Sequence, residues 1–222
     1  MGLPVLIYGK SGAGKSRSTK NFNEDEIFYV DVEQKPLPFR KKFKYRIVSD
    51  DVRTIKNALS QMDPKYGVKT AIIDDAGLIM THIFMARHRN MKGNQQFEMY
   101  NDIADDFYSI ISHIKCDLPE DNIVYLMMHE DTDDDGGVKL KTMGKLLDQK
   151  CPLTERVTIC IRCQSVDGEH YFRVVTDGSD VTKAPEEMFE KEEFENDLKV
   201  VDMAIRNFYG WEVKKTKSKE DK

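Results

Sequence analysis

Residues Gly9-Lys10-Ser11-Gly12-Ala13-Gly14-Lys15-Ser16 match the pattern G-x-x-x-x-G-K-[ST] in full, and no other feature constrains the fold as much. At ordinary residue frequencies the pattern arises by chance about 0.01 times in a chain of this length. Its surroundings agree. Pro4 to Tyr8 is a short apolar run that reads as a buried strand, and a helix is expected over 14–21. Glycines in such a loop let the backbone turn its N–H groups inward around phosphate oxygens. The candidate phosphate-binding residues are Gly9, Lys10, Ser11, Gly12, Ala13, Gly14, Lys15, Ser16 and Arg17. Lys15 would reach the β- and γ-phosphates and count among the catalytic groups, and the Ser16 hydroxyl would ligate Mg²⁺. The ligands this predicts are ATP and Mg²⁺. The plainer alternative is a glycine-rich turn with no ligand.

A phosphate loop of this kind needs an acid at the end of another buried strand. Thr70-Ala71-Ile72-Ile73-Asp74-Asp75 supplies it, with Asp74 as the expected second metal-holding group. Asp75 is expected on the opposite face, to orient water or cap the next helix. Hydrolysis also requires a group that takes a proton from water. Asp31-Val32-Glu33 closes a second strand at the sheet edge where ligands bind, and Glu33 is the candidate base. His129 follows Met127-Met128 at another strand end, where a polar side chain could sense the γ-phosphate. Each acid could instead be a helix cap or a solvated loop residue, and His129 a surface histidine.

Strands are expected at 4–8, 26–32, 45–48, 70–75, 122–128, 157–163 and 171–175. Helices are expected at 50–62, with Ser49 as N-cap, at 78–91, at 97–114, and at 198–209 behind Asn196-Asp197. Asp167-Gly168 is a hairpin signal. Alternating strands and helices predict an α/β fold with a mostly parallel central sheet flanked by helices and an antiparallel hairpin toward the C-terminus. The expected organisation is one domain over 1–212 and a charged tail over 213–222. The 222 residues carry a net charge of −5, which excludes a globally basic nucleic-acid binder but not a local basic site. No apolar run reaches the roughly 18 residues of a membrane span, and the first residues do not read as a signal peptide. The four cysteines read as free thiols in a reducing compartment. Cys160 and Cys163 lie three apart on a strand and so on opposite faces, which argues against a redox or metal pair.

The chain resembles the phage-encoded, RecA-like P-loop ATPases of the single-strand annealing type, described broadly as AAA-family ATP-binding phage proteins. The resemblance spans residues 3–209. It rests on Tyr8-Gly9-Lys10-Ser11-Gly12, Val32-Glu33-Gln34-Lys35-Pro36-Leu37-Pro38-Phe39, Ile72-Ile73-Asp74-Asp75, Lys141-Thr142-Met143-Gly144-Lys145-Leu146-Leu147-Asp148 and Lys183-Ala184-Pro185-Glu186-Glu187-Met188-Phe189. It implies a RecA-like fold, Mg²⁺-ATP hydrolysis stimulated by DNA, and single-stranded DNA as partner in annealing and recombination. It also implies that Glu33 activates water and that His129 stands where RecA-like proteins carry a γ-phosphate-sensing Gln. DNA-binding loops would fall at 81–97 and 130–142. A homo-oligomer, a ring or a DNA-dependent assembly, is implied. A first strand beginning at Leu3 argues against long filaments. A phage single-strand-binding protein would be a partner, no membrane would be involved, and the location would be the host bacterial cytoplasm.

Lys35, Arg40, Lys41, Lys42, Lys44 and Arg46 form a basic cluster interleaved with Phe39, Phe43 and Tyr45, and the candidate DNA contacts are Arg40, Lys41, Lys42 and Lys44 from it, then Arg87, Arg89 and Lys92, and Lys139. The alternative for the first cluster is a solvated, partly packed loop. Lys141 and Lys145 are candidate trans-acting cations reaching a neighbouring subunit's γ-phosphate, or else they salt-bridge within one subunit. The sequence is also compatible with two other functions. One is a P-loop nucleoside or nucleotide kinase, with Arg87, Arg89 and Lys92 as a lid. The other is a slowly hydrolysing, nucleotide-dependent recruitment module for replication proteins.

Overall fold

The computed structural model describes residues 1–90, 93, 95–144, 148 and 151–211. Lys92, Lys145 and the tail at 213–222 lie outside the described residues. The strands are β1 (Leu3–Gly9), β2 (Ile27–Asp31), β3 (Tyr45–Val48), β4 (Thr70–Asp74), β5 (Ile123–Thr132), β6 (Val138–Leu140), β7 (Ile159–Val166), β8 (Glu169–Arg173) and β9 (Glu193–Glu195). The α-helices are α1 (Val52–Tyr66), α2 (Leu78–Arg87), α3 (Gln95–Asp117) and α4 (Leu198–Phe208).

Among the described residues the sheet runs β3-β2-β4-β5-β1-β7-β8-β9, and β6 pairs with the outer part of β5. β1 to β5 and β7 pair in parallel, whereas β8, β9 and β6 are antiparallel. The expected α/β class is therefore observed, with a mostly parallel sheet and antiparallel strands toward the C-terminus. Continuous apolar runs form the central strands because both faces are covered. One face packs against α1, α2 and α3, through residues such as Ile55, Ile79, Ile103 and Phe107. The other packs against α4 and the segment after the phosphate loop, through Phe22, Leu198, Val201 and Ile205. Cys160 joins the first core and Cys163 the second, as their spacing requires.

Four local expectations need correction. The segment after the phosphate loop is a 3₁₀ turn over Ser16–Asn21, not a helix over 14–21. Thr19 and Asn21 are poor helix formers, and Phe22 leaves the turn to enter the core. The N-cap of α1 is Asp51, whose carboxylate accepts from the Thr54 N–H. Ser49 instead accepts from the Asp51 N–H two residues on. β5 extends to Thr132, beyond the expected end at Met128, because Glu130 to Thr132 pair with β6. The region expected as a loop at 130–142 is therefore largely a β-ribbon. Asp167-Gly168 closes a two-residue hairpin with both residues at positive φ (52° and 83°), as that turn demands.

Candidate nucleotide-binding site

β1 delivers Gly9 beside His129 of β5. A Cβ on Gly9 would lie 2.2 Å from the Cys163 carbonyl oxygen, so only glycine fits. Gly14, at φ 106°, presses against His170 and Asn196, and a Cβ there would meet them at 2.9 and 3.0 Å. The rear of the loop is held by residues of β7 and β8 and by Asn196. The Cys163 thiol donates to the Ala13 carbonyl at 3.1 Å, and His170 Nδ1 donates to the same oxygen at 2.9 Å. Asn196 Nδ2 donates to Cys163 Sγ. Burial pushes the Cys163 thiol up to about 12, which keeps it a donor.

At the front, Lys15 is only 6% exposed. Its Nζ donates to the carbonyls of Gly9 (2.8 Å) and Lys10 (3.0 Å), and lies 3.5 Å from His129 Nδ1. Burial lowers its pKa, against the opposing pull of Cys163, Asp75 and Asp74. Ser16 Oγ donates to both oxygens of Asp74, at 3.0 and 2.8 Å, and the Tyr29 hydroxyl donates to Asp74 Oδ2 at 2.5 Å. Burial raises the Asp74 pKa although both donors oppose it. A serine hydroxyl touching a strand-end carboxylate fits Mg²⁺, a hard cation that takes one or two protein oxygens and completes its shell with phosphate and water. Among the described residues no group of three or more His, Cys, Asp or Glu side chains forms a metal site by itself.

Asp75 leaves the strand in the left-handed region (φ 57°), which aspartate tolerates better than most residues. Its carboxylate sits between His129 Nε2 (3.2 Å) and Lys35 Nζ (2.8 Å). Those two hydrogen bonds, His129 first, hold it well below the usual carboxylate range against burial. His129 thus bridges the phosphate-loop lysine and the acid that follows β4.

Beyond β2 the chain turns sharply. The buried Asp31 carboxylate accepts from the Lys35 N–H and ion-pairs with Arg46 of β3. Gln34 takes the left-handed region (φ 58°). This turn aims Lys35 at Asp75 and Glu33 at α2, where Glu33 Oε2 lies 3.0 Å from His82 Nε2. His82 Nδ1 lies 3.0 Å from Asp50 Oδ2.

The predicted Lys15, Ser16, Asp74, Asp75 and His129 are brought together. Glu33 is brought to the same sheet edge, engaged by His82. Sequence reasoning missed Tyr29, His82 and Asp50 as site residues and placed Lys35 only in a basic cluster. Lys35 had a local signal, since it stands two residues beyond the candidate base.

The chain is similar to a KaiC-like protein. That protein, from the hyperthermophilic archaeon Pyrococcus horikoshii, has a solved structure at 12% identity and a TM-score of 0.44, covering 77% of this chain and 78% of that one. No family model and no curated protein matches the sequence.

The cations expected to contact DNA divide into groups. Lys41 Nζ donates to the carbonyls of Lys20 and Phe22, tying its segment to the turn after the phosphate loop. The aromatic residues beside it are used internally. Phe43 is buried and stacks on Tyr29, Phe39 packs edge-on against Phe43, and Tyr45 stacks on Tyr66. Arg40, Lys42 and Lys44 remain exposed. Arg87 ion-pairs with Asp102 and Asp106 of α3, Arg89 is exposed, and Lys139 ion-pairs with Asp148. Lys141 is exposed, and its N–H donates to the His129 carbonyl.

Proposed function

We propose that this chain is a Mg²⁺-ATP hydrolase whose turnover is coupled to single-stranded DNA, and that it promotes strand annealing as a homo-oligomer. The observation that carries the nucleotide reading is the contact between Ser16 and Asp74, 58 positions apart, beside the buried Lys15. Bound Mg²⁺ would supply charge neutralisation at the phosphates. The chain's own residues do the rest. The loop N–H groups and Lys15 bind phosphate oxygens, with Lys15 exchanging its carbonyl partners for them. Ser16 and Asp74 would hold the cation. Glu33 accepts the proton of the attacking water at a carboxylate oxygen. His129, between Lys15 and Asp75, contacts the terminal phosphate and passes its loss to Asp75. Exposed Arg40, Lys42 and Lys44 support a DNA-backbone contact, and their role is electrostatic because Phe43 is buried and Phe39 and Tyr45 pack against other rings of the chain.

The test is steady-state ATP hydrolysis with and without single-stranded DNA at two salt concentrations, beside Glu33→Gln. Salt-sensitive stimulation by DNA, with binding intact and turnover lost in the variant, is the expected result. Turnover indifferent to DNA would sink the coupling, and normal turnover by Glu33→Gln would sink the base assignment.

A further inference from the structure

We infer that His82 is a positioning residue for Glu33, with Asp50 fixing its ring; this rests on the reading of Glu33 as the base. His82 stands in the middle of α2, Glu33 follows β2, and Asp50 precedes α1, so three separate elements meet at one imidazole. The ring faces a carboxylate oxygen at 3.0 Å from each nitrogen. A carboxylate only accepts, so both contacts are hydrogen bonds when both ring nitrogens carry protons. The ring then has little freedom to rotate, because turning it breaks two charge-assisted bonds together. Asp50 plays the part of the third group that orients a base through its partner.

The geometry around Glu33 makes such a holder necessary. Glu33 lies in a turn, not in the sheet ladder, and its side chain is about one third exposed (34%). A flexible glutamate there would sample many rotamers and be rarely aligned with the water it must deprotonate. The turn is fixed from behind by Asp31 and flanked by left-handed Gln34, which set the backbone. His82 sets the remaining side-chain torsions. Lys35, on the same turn, is held separately by Asp75, so the two side chains are positioned by different partners on the β4–α2 segment. His82 touches neither phosphate loop nor cation-holding acid in the described hydrogen bonds, which go to Glu33 and Asp50. Its effect therefore belongs in turnover and not in nucleotide affinity.

The experiment compares His82→Ala, His82→Phe and His82→Gln with the wild-type full chain, measuring kcat for ATP, Kd for a fluorescent ATP analogue and the melting temperature. Glu33→Gln is measured alongside. The Ala and Phe variants should lose about 10- to 100-fold in kcat, the scale of a misplaced catalytic group, with Kd unchanged within about twofold. Gln can donate to Glu33 and should recover most of the turnover, whereas Phe restores only bulk. If Phe works as well as wild type, His82 is packing and the inference fails. It fails equally if all three variants turn over normally, or if they lose nucleotide affinity in step with turnover. If Glu33→Gln itself turns over normally, the underlying base assignment fails whatever the His82 variants do. A drop in melting temperature common to Ala, Phe and Gln cannot mimic the expected pattern, since Gln must still separate from Phe in kcat.

Discussion

Asp74 and Asp75 are adjacent carboxylates pushed in opposite directions, and the difference has measurable consequences. Burial raises Asp74, so its ionised form is disfavoured in the folded protein. A raised native pKa means stability that is greatest at low pH and declines as pH rises through the native value. Asp74→Asn should therefore raise the melting temperature of the nucleotide-free protein at about pH 8 while abolishing Mg²⁺-dependent nucleotide binding. Calorimetry and nucleotide titration would check both halves. Asp75 is depressed, chiefly by His129 and then by Lys35. Its contribution is present above the unfolded value of about 3.9 and is lost as pH falls below it. Asp75→Asn should be less stable than wild type at about pH 7, and its melting temperature should fall less steeply between about pH 5 and about pH 3. The strand-end acids were legible because a buried apolar run followed by Asp-Asp is a local pattern. What each acid touches was not. Tyr29, His129 and Lys35 come from three other segments, and no spacing rule predicts which partners each of two neighbouring carboxylates will meet.

At the scale of elements, α4 is secured by more than its apolar stripe. Arg206, 5% exposed, donates to Asp202 at 2.7 Å, to Thr70 Oγ1, and to the carbonyls of Lys69 and Asp121. Asp202 also accepts from Thr70 and Tyr125. The network pins α4 to the entry ends of β4 and β5, opposite the candidate site. Arg206→Ala leaves a buried carboxylate without its cation and should cost about 3–5 kcal/mol in chemical denaturation. Nucleotide affinity of the folded fraction should be unchanged. Periodicity made α4 and its Asp197 cap readable, as it did the long run of buried isoleucines on α3. It misjudged the segment after the phosphate loop, where the motif suggested a helix and the following residues limit it to a 3₁₀ turn. It also missed β6, three residues long, whose pairing depends on the reach of β5.

For the whole molecule, the decisive property is where charge remains free once the fold has used what it needs. Lys35, Lys41 and Arg46 are engaged by Asp75, by backbone carbonyls and by Asp31. Composition alone counted all of them as available, since a cation's partner can lie anywhere in the chain. The electrostatic test must therefore spare them. Replacing Arg40, Lys42 and Lys44 together with Gln should weaken single-stranded DNA binding and reduce its salt slope by about 2, at about 0.7 per lost phosphate contact. Anisotropy titrations at several salt concentrations would show it. An unchanged slope would move the contact to another face. The same dependence on distant partners governs the phosphate loop. Its motif residues all lie within the first 16 positions, yet Ala13 and Gly14 rest on Cys163, His170 and Asn196. During synthesis, the ribosome will have made the entire motif long before the floor beneath it exists. Nucleotide therefore has no finished cradle to stabilise in a nascent chain. A fragment ending ahead of Asn196 would keep every signature residue and lack the support that shapes them, and binding of ATP would report that synthesis has passed Asn196.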